Sequence, residues 1–224
     1  MELQDKAIDG RIGSSVLLVA TIAYAALSVV ALVGIGTLPA ASDSGAQLVD
    51  WFREHGRSVR WFMWVSTVAT PPLAVMMALM RRLLPVPHRD VFLFGAIAYL
   101  SIIPVWTWTW GGLSLHADAL EPATARAIFD VADFFGPVFT GVTTTMIGPV
   151  TLLALRRQAG LPLLLGILGL VAFAEQTIET ITIFGSTGFT QPGGPMNMQL
   201  GAGLTLAWLL AFGLRGGLRG HPQN

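Results

Sequence analysis

The chain has 224 residues, of which 53% are hydrophobic and 12% are charged, and its formal net charge is +0 at pH 7. Soluble domains usually carry about 25% charged residues, so this composition is typical of a membrane protein. A sequence without cysteine excludes disulfides, thiolate catalysis and cysteine metal sites, and the lack of net positive charge argues against a nucleic-acid partner.

Six apolar segments reach the length of roughly 20 residues that a helix needs to cross a ~30 Å hydrocarbon core. They run approximately over residues 13–38, 59–80, 91–112, 131–155, 161–184 and 200–214. We therefore expect one all-α domain over residues 1–224, a bundle of about six transmembrane helices in a lipid bilayer. The last segment is the shortest, and it can begin as early as Met196.

The basic residues predict the orientation of the spans. Nine of them lie beside the span ends that share a side with the N-terminus, and four lie on the opposite side. The nine are Lys6, Arg11, Arg81, Arg82, Arg89, Arg156, Arg157, Arg215 and Arg219, and the four are Arg53, Arg57, Arg60 and Arg126. Because cytoplasmic loops carry the excess of Lys and Arg, both termini are predicted to be cytoplasmic. The preference for Arg, Ala and Gly favours a bacterial plasma (inner) membrane.

The connection after the first span, residues 42–57, predicts a short interfacial helix on the membrane surface. Ser42 or Asp43 can cap its N-terminus. Apolar side chains along it can enter the headgroup region, namely Leu48, Val49, Trp51 and Phe52. The later outer connections predict a helix around residues 123–129 and a loop at the Gln-Pro-Gly-Gly-Pro sequence of residues 191–195.

The fifth span carries two intramembrane glutamates, Glu175 and Glu179, separated by one helical turn. A charged side chain at the centre of a bilayer costs about 2.5–3.5 kcal/mol or more, so such residues usually face a cavity, a partner or water. Two carboxylates this close do not both ionise easily, so one can hold a proton, which suits a general acid, a proton relay or a cation site. Alternatively, the span ends early and both glutamates lie at the outer interface.

Depth along the helices predicts that other side chains meet these glutamates. At about 1.5 Å of rise per residue, Glu175 lies roughly 21 Å and Glu179 roughly 27 Å from the cytoplasmic end of the span at Leu161. Aromatic, acidic and hydroxyl side chains of other segments fall at a similar height. We therefore predict an outer-leaflet pocket whose binding residues are Glu175, Glu179, Gln176, Trp106, Trp110, Trp64, Trp61, Asp133, His116 and Thr140.

Several of these residues have an alternative structural role. Tryptophan is enriched at membrane interfaces whatever the protein does, although Trp106 and Trp110 share a helix face and aromatic faces beside carboxylates can bind a cation. Asp133 lies near the start of a helix, where the helix dipole favours acidic side chains. Thr140 belongs to a stripe of hydroxyls that can line a polar path or bond between helices.

No metal or cofactor is predicted. His116, Asp118 and Glu121 match no familiar spacing of metal ligands. No pair of intramembrane histidines suggests haem. The single lysine, Lys6, lies outside the spans, which excludes a retinal Schiff base.

Short motifs connect the chain to a known family. Residues 11–13 (Arg-Ile-Gly) open the first span, residues 156–157 (Arg-Arg) end the fourth, and residues 160–162 (Gly-Leu-Pro) lead into the glycine-containing segment 165–170. In these motifs the chain resembles a bacterial family of six-span membrane proteins known only as a domain of unknown function. The resemblance loosely covers most of the chain and implies no activity.

Three functions are compatible with the sequence. The favoured one is binding or transport of a small cationic or amphipathic (lipophilic) solute, with Glu175 as its charge partner. The second is a membrane enzyme of the cyclase or isomerase type, using Glu175, Glu179 or Asp133 as a carboxylic acid on a lipid or isoprenoid. The third is an accessory subunit that contacts a membrane protein partner, or a second copy of itself, through small-residue patterns such as Gly201-x-Gly203.

Overall fold

A computed structural model of the chain describes residues 2–36 and 38–219, and the side chains of residues 13–36 and 38–218. Within these residues the chain forms seven α-helices. They are α1 (Glu2–Ile35), α2 (Gly45–Arg81), α3 (His88–Leu115), α4 (Pro122–Asp133), α5 (Phe135–Leu155), α6 (Leu163–Glu179) and α7 (Ala202–Arg219). A π-helix, Met196–Gly201, directly precedes α7.

Six segments of the described chain are long and apolar enough to cross a membrane. They are Gly13–Ile35, Gly45–Arg81, His88–Leu115, Pro122–Leu155, Leu163–Phe184 and Met196–Leu218. Four of the predicted spans agree with these segments to within four residues at each end, and the second and fourth begin earlier than predicted. The prediction of a helical, multi-pass membrane protein is confirmed by the length and apolar composition of these helices.

The segment expected to form a separate surface helix is the first part of α2. Ser44 caps the helix, because its hydroxyl accepts from the Gln47 backbone N–H at 3.4 Å while Gln47 Oε1 accepts from the Ser44 backbone N–H at 2.8 Å. From there α2 runs unbroken to Arg81. Three side chains expected to enter headgroups, Leu48, Val49 and Phe52, are instead buried against the rest of the chain. The expectation of a distinct helix is therefore corrected.

The fourth span consists of two helices, since the chain turns at Phe134 between α4 and α5. Pro122 opens α4 at its first position, where proline's missing N–H costs nothing. Phe129 of α4 packs against Phe52 of α2 and Trp110 of α3, with ring centroids 6.4 Å and 5.6 Å apart. α4 thus closes one end of the bundle, which we call the α4 end.

Two apolar clusters hold the bundle together. The cluster at the α4 end includes Leu48, Phe52, Trp110, Leu113 and Phe129. The other, nearer the chain termini, includes Met76, Phe92, Met146, Trp208 and Phe212. Glycines allow the closest helix approaches; a Cβ atom on Gly95 of α3, for example, would lie 2.7 Å from the Met146 backbone nitrogen of α5. Residues of both clusters contribute to a cavity inside the bundle.

Candidate functional site

A cavity of about 400 Å³ lies inside the bundle and is lined by α1, α2, α3, α5, α6, the π-helix and α7. Its wall is largely apolar and aromatic, with Leu27, Phe62, Leu73, Ile103, Trp106 and Phe139 among its residues. A smaller set of polar residues interrupts that wall, including Tyr24, Tyr99, Gln176, Glu179, Asn197 and Thr205. A mostly apolar wall, a few polar groups and a volume of this order are typical of small-molecule sites.

Three polar side chains of α6 form one end of a hydrogen-bonded cluster. Glu175, Gln176 and Glu179 are buried, with 9%, 2% and 3% of their surface exposed. The Gln176 side-chain amide donates to Glu175 Oε2 at 2.9 Å and to Glu179 Oε2 at 2.6 Å. A single amide group therefore bridges the two carboxyl groups, which lie one turn apart on the same helix.

Asn197 of the π-helix completes this cluster of four residues, which we call the acidic cluster. Its Nδ2 group donates to Glu179 Oε1 and to Thr182 Oγ1, the latter at 3.3 Å. Its Oδ1 atom accepts from the Gly193 backbone N–H at 3.0 Å. Both oxygens of Glu179 accept hydrogen bonds, so that carboxyl group is held in a fixed orientation.

Thr143 of α5 connects the acidic cluster to the neighbouring helix, because its hydroxyl donates to Gln176 Oε1. With that bond, both polar atoms of the Gln176 amide have partners. The orientation of this amide is thereby determined, with its nitrogen toward the carboxyl groups and its oxygen toward Thr143. A glutamine that is satisfied on both sides holds the two glutamates at a constant separation.

The glutamates have no basic partner among the described side chains. The ion pairs in that part of the chain involve the carboxylates of Asp50, Asp90, Asp118 and Asp130 instead. One carboxyl oxygen of Glu175, Oε1, and the hydroxyl of Thr205 are buried without a hydrogen-bond partner. Because an unpaired carboxylate is costly to bury, the acidic cluster is suited to a proton or to a cationic ligand.

The π-helix brings backbone and side chains to the cavity wall. Four of its six residues line the cavity, namely Asn197, Met198, Gln199 and Gly201. Gly201 faces the acidic cluster, and a Cβ atom there would lie 2.7 Å from Gln176 Nε2 and closer still to the Glu179 carboxyl group. Glycine at this position lets the π-helix pack directly on α6. Short π-helical turns of this kind are frequent at functional sites.

Some residues predicted from the sequence meet at the cavity. Glu179, Gln176 and Trp106 line it. Glu175 does not line the cavity, and it is joined to Gln176 by the hydrogen bond from the Gln176 amide. Thr140 is buried on α5 one turn from Thr143, but its hydroxyl donates to the Pro137 carbonyl at 2.7 Å rather than to the acidic cluster.

The remaining predicted residues lie elsewhere. Trp61 and Trp64 are exposed on α2, with ring centroids 5.1 Å apart. Trp110 is buried in the apolar cluster at the α4 end, and His116 is exposed at the end of α3. Asp133 faces the backbone at Gly193, in the loop before the π-helix. The structure therefore does not bring these five side chains to the cavity.

Other cavity residues were not predicted from the sequence. Asn197 stands between two methionines at the start of the sixth span, within the earlier start at Met196 that the sequence allows, but it was not among the predicted binding residues. Tyr24 and Tyr99 are the two tyrosines of the sequence. Both lie well inside spans rather than at an interface, and both line the cavity. The presence of tyrosines in the middle of apolar spans was the sequence feature that could have indicated the cavity.

No family model matches the chain, and neither the curated proteins nor the solved structures include a match to it. The chemistry of the cavity and the acidic cluster is therefore the basis for a functional proposal.

The amide bridge gives a direct test of this arrangement. Gln176→Met keeps the size of the side chain but removes both donors, so we expect it to lower the free energy of unfolding by about 1–3 kcal/mol. Gln199→Met is the matched control, since Gln199 is exposed on the π-helix, and it should change stability by no more than about 0.5 kcal/mol. Thermal unfolding midpoints in detergent measure both. Equal midpoints for the two variants would contradict the bridge.

Proposed function

We propose that the chain binds an organic cation in the central cavity, with the carboxyl group of Glu179 as its charge partner. The observation that carries this proposal is an acidic cluster, without a basic partner among the described side chains, on the wall of a largely apolar cavity. A cation would supply the missing positive charge. The apolar wall would bury the remainder of the ligand.

The hydrogen bonds around Glu179 favour this role. Gln176 and Asn197 hold the carboxyl group from two sides. A carboxylate offers about four lone-pair positions, so these two bonds leave capacity for a donor on the ligand. A preoriented acceptor costs less ordering entropy when a ligand binds.

Aromatic side chains in the same cavity support a cationic ligand further. Trp106 is held between Phe62 and Phe135, with ring centroids 5.4 Å and 5.7 Å away. Tyr99 packs on Phe139 with centroids 4.4 Å apart. The faces of Trp and Tyr attract cations through the ring quadrupole, and this attraction is larger where water is excluded.

The test uses phenethylammonium as a probe, with 2-phenylethanol as its uncharged counterpart. At about 100 times its Kd, a ligand stabilises the folded protein by about 2.7 kcal/mol, so phenethylammonium should raise the thermal unfolding midpoint in detergent. We expect 2-phenylethanol to have a much smaller effect. Glu179→Gln should abolish the response to phenethylammonium, because the neutral amide cannot pair with the cation.

The control for this test is Glu54→Gln, the same change at an exposed glutamate of α2. It should leave the response to phenethylammonium intact. An equal response in wild type and Glu179→Gln would contradict the assignment of the charge partner. No response to phenethylammonium in any variant would contradict the proposal and favour the alternative of an accessory subunit.

We also propose that both chain ends lie in the cytoplasm of a bacterial plasma membrane, with the acidic cluster in the outer half of the bilayer. The support is the excess of Lys and Arg on one side of the spans, nine against four. This orientation would present the α4 end to the outside.

The orientation can be tested by cysteine labelling, since the native sequence has no cysteine. Ser42→Cys and Gln158→Cys place single thiols at exposed positions in connections at opposite ends of the bundle. In intact cells, a membrane-impermeant maleimide should react with the thiol at position 42 and not with that at position 158. The reverse pattern would contradict the proposed orientation, and lysed cells provide the control in which both react.

A further inference from the structure

The exposed part of the cavity lining lies on α1 and on the chain segment formed by the π-helix and α7. Among the described residues that line the cavity, four are also exposed: Leu32 on α1, and Gln199, Ala202 and Gly203 on the π-helix and α7. The cavity-lining residues of α2, α3, α5 and α6 are buried or half-buried. We infer that the cavity opens on this side, and we call the gap between α1 and α7 the portal.

The packing of α1 against α7 explains why a gap exists there. Near the chain termini the two helices are in close contact, because a Cβ atom on Gly213 would lie 2.5 Å from Thr21 Oγ1 and one on Gly217 would lie 2.8 Å from Leu18 Cβ. Further toward the α4 end, a Cβ atom on Gly203 would meet nothing within 4 Å. Glycines of α7 thus allow close contact with α1 near the chain termini, whereas the space beside Gly203, toward the α4 end, is open.

The portal lies within membrane-spanning segments rather than in a loop. Leu32 belongs to the span Gly13–Ile35 and Gly203 to the span Met196–Leu218. The outer surface of α1 beside it is apolar, with Val29 and Val33 exposed to 60% and 78%. An opening surrounded by such a surface would face lipid chains in the bilayer. A ligand that enters there must first dissolve in the membrane.

The residues that line the cavity indicate which chemical groups such a ligand contains. The acidic cluster suits a positively charged donor, whereas the rest of the wall is largely apolar. On α1 the lining runs from Tyr24 to Leu32, which is about 12 Å at 1.5 Å per residue. An apolar tail of that length contains on the order of ten carbon atoms. One cavity of about 400 Å³ suits a single chain rather than a two-chain lipid.

We propose that the ligand is a single-chain cationic amphiphile, an alkyl chain with an ammonium head group, which enters from the bilayer through the portal and places its ammonium group on Glu179. This inference rests on the proposed function and adds the class of ligand and its route. A ligand of this class partitions into the membrane by itself, so a lateral entrance is the shortest path to the site.

The experiment uses decylammonium as the probe and single-cysteine variants in vesicles of phosphatidylcholine and phosphatidylglycerol. Gly203→Cys places a thiol at the portal. Gly141→Cys is the matched control, an exposed glycine on the membrane-spanning α5 that does not line the cavity and whose Cβ atom would meet nothing within 4 Å. With decylammonium at about ten times its Kd, reaction of the portal thiol with a lipid-soluble maleimide should slow about tenfold, by mass action.

The control thiol should react at an unchanged rate, and decanol should protect neither position. Adding Glu179→Gln should remove the protection of the portal thiol, because the head group then has no charge partner. If Gly203→Cys does not fold, Ala202→Cys places the thiol at the neighbouring portal position. Together these results would support the proposal.

Two other results would overturn it in distinguishable ways. If decylammonium raises the unfolding midpoint in a Glu179-dependent manner but leaves labelling at the portal unchanged, the lateral route is wrong and the proposed cation site stands. If neither decylammonium nor phenethylammonium raises the midpoint, the proposed function fails and this inference fails with it.

Discussion

The hydrogen bonds from the Gln176 amide to Glu175 and Glu179 are the interaction on which the site depends. They place two carboxyl groups in the interior of an apolar helical bundle, where burial without a partner would be costly. The amide cannot neutralise a negative charge, since it supplies dipoles only. An ionised glutamate in the acidic cluster therefore has no counter-charge among the described side chains. A cationic ligand in the adjacent cavity would supply that charge.

The packing around the acidic cluster depends on small residues and on a local change of helix type. Gly201 allows the π-helix to approach α6, and Gly136 of α5 lies close to Asn197, with a Cβ atom there 3.1 Å from the Asn197 Cγ atom. Larger side chains at either position would push Asn197 or Glu179 out of place. Gln199 of the π-helix and Gly203 at the start of α7 also line the portal. One short stretch of chain thus shapes both the polar end of the cavity and its entrance.

Sequence patterns were sufficient to predict the six apolar spans and to single out the two glutamates, which the structure buries, because apolar length and a charged residue within an apolar run are local properties of the sequence. They were not sufficient to predict which tryptophans face the cavity. Trp106 and Trp110 share a helix face, yet one lines the cavity and the other is buried against α2 and α4, because α4 covers that end of the bundle. Asn197 was missed for a similar reason, since its contact with Glu179 joins two spans whose relative rotation no single sequence determines.

Infrared difference spectroscopy can show whether a bound cation pairs with the carboxyl group of Glu179. Spectra recorded with and without phenethylammonium report changes in individual carboxyl groups. We predict a difference band in the carboxyl region on binding that is lost in Glu179→Gln and retained in Glu54→Gln. A difference band of the same shape and size in Glu179→Gln would mean that the cation binds without the Glu179 carboxyl group, and Glu179 would then not be its charge partner.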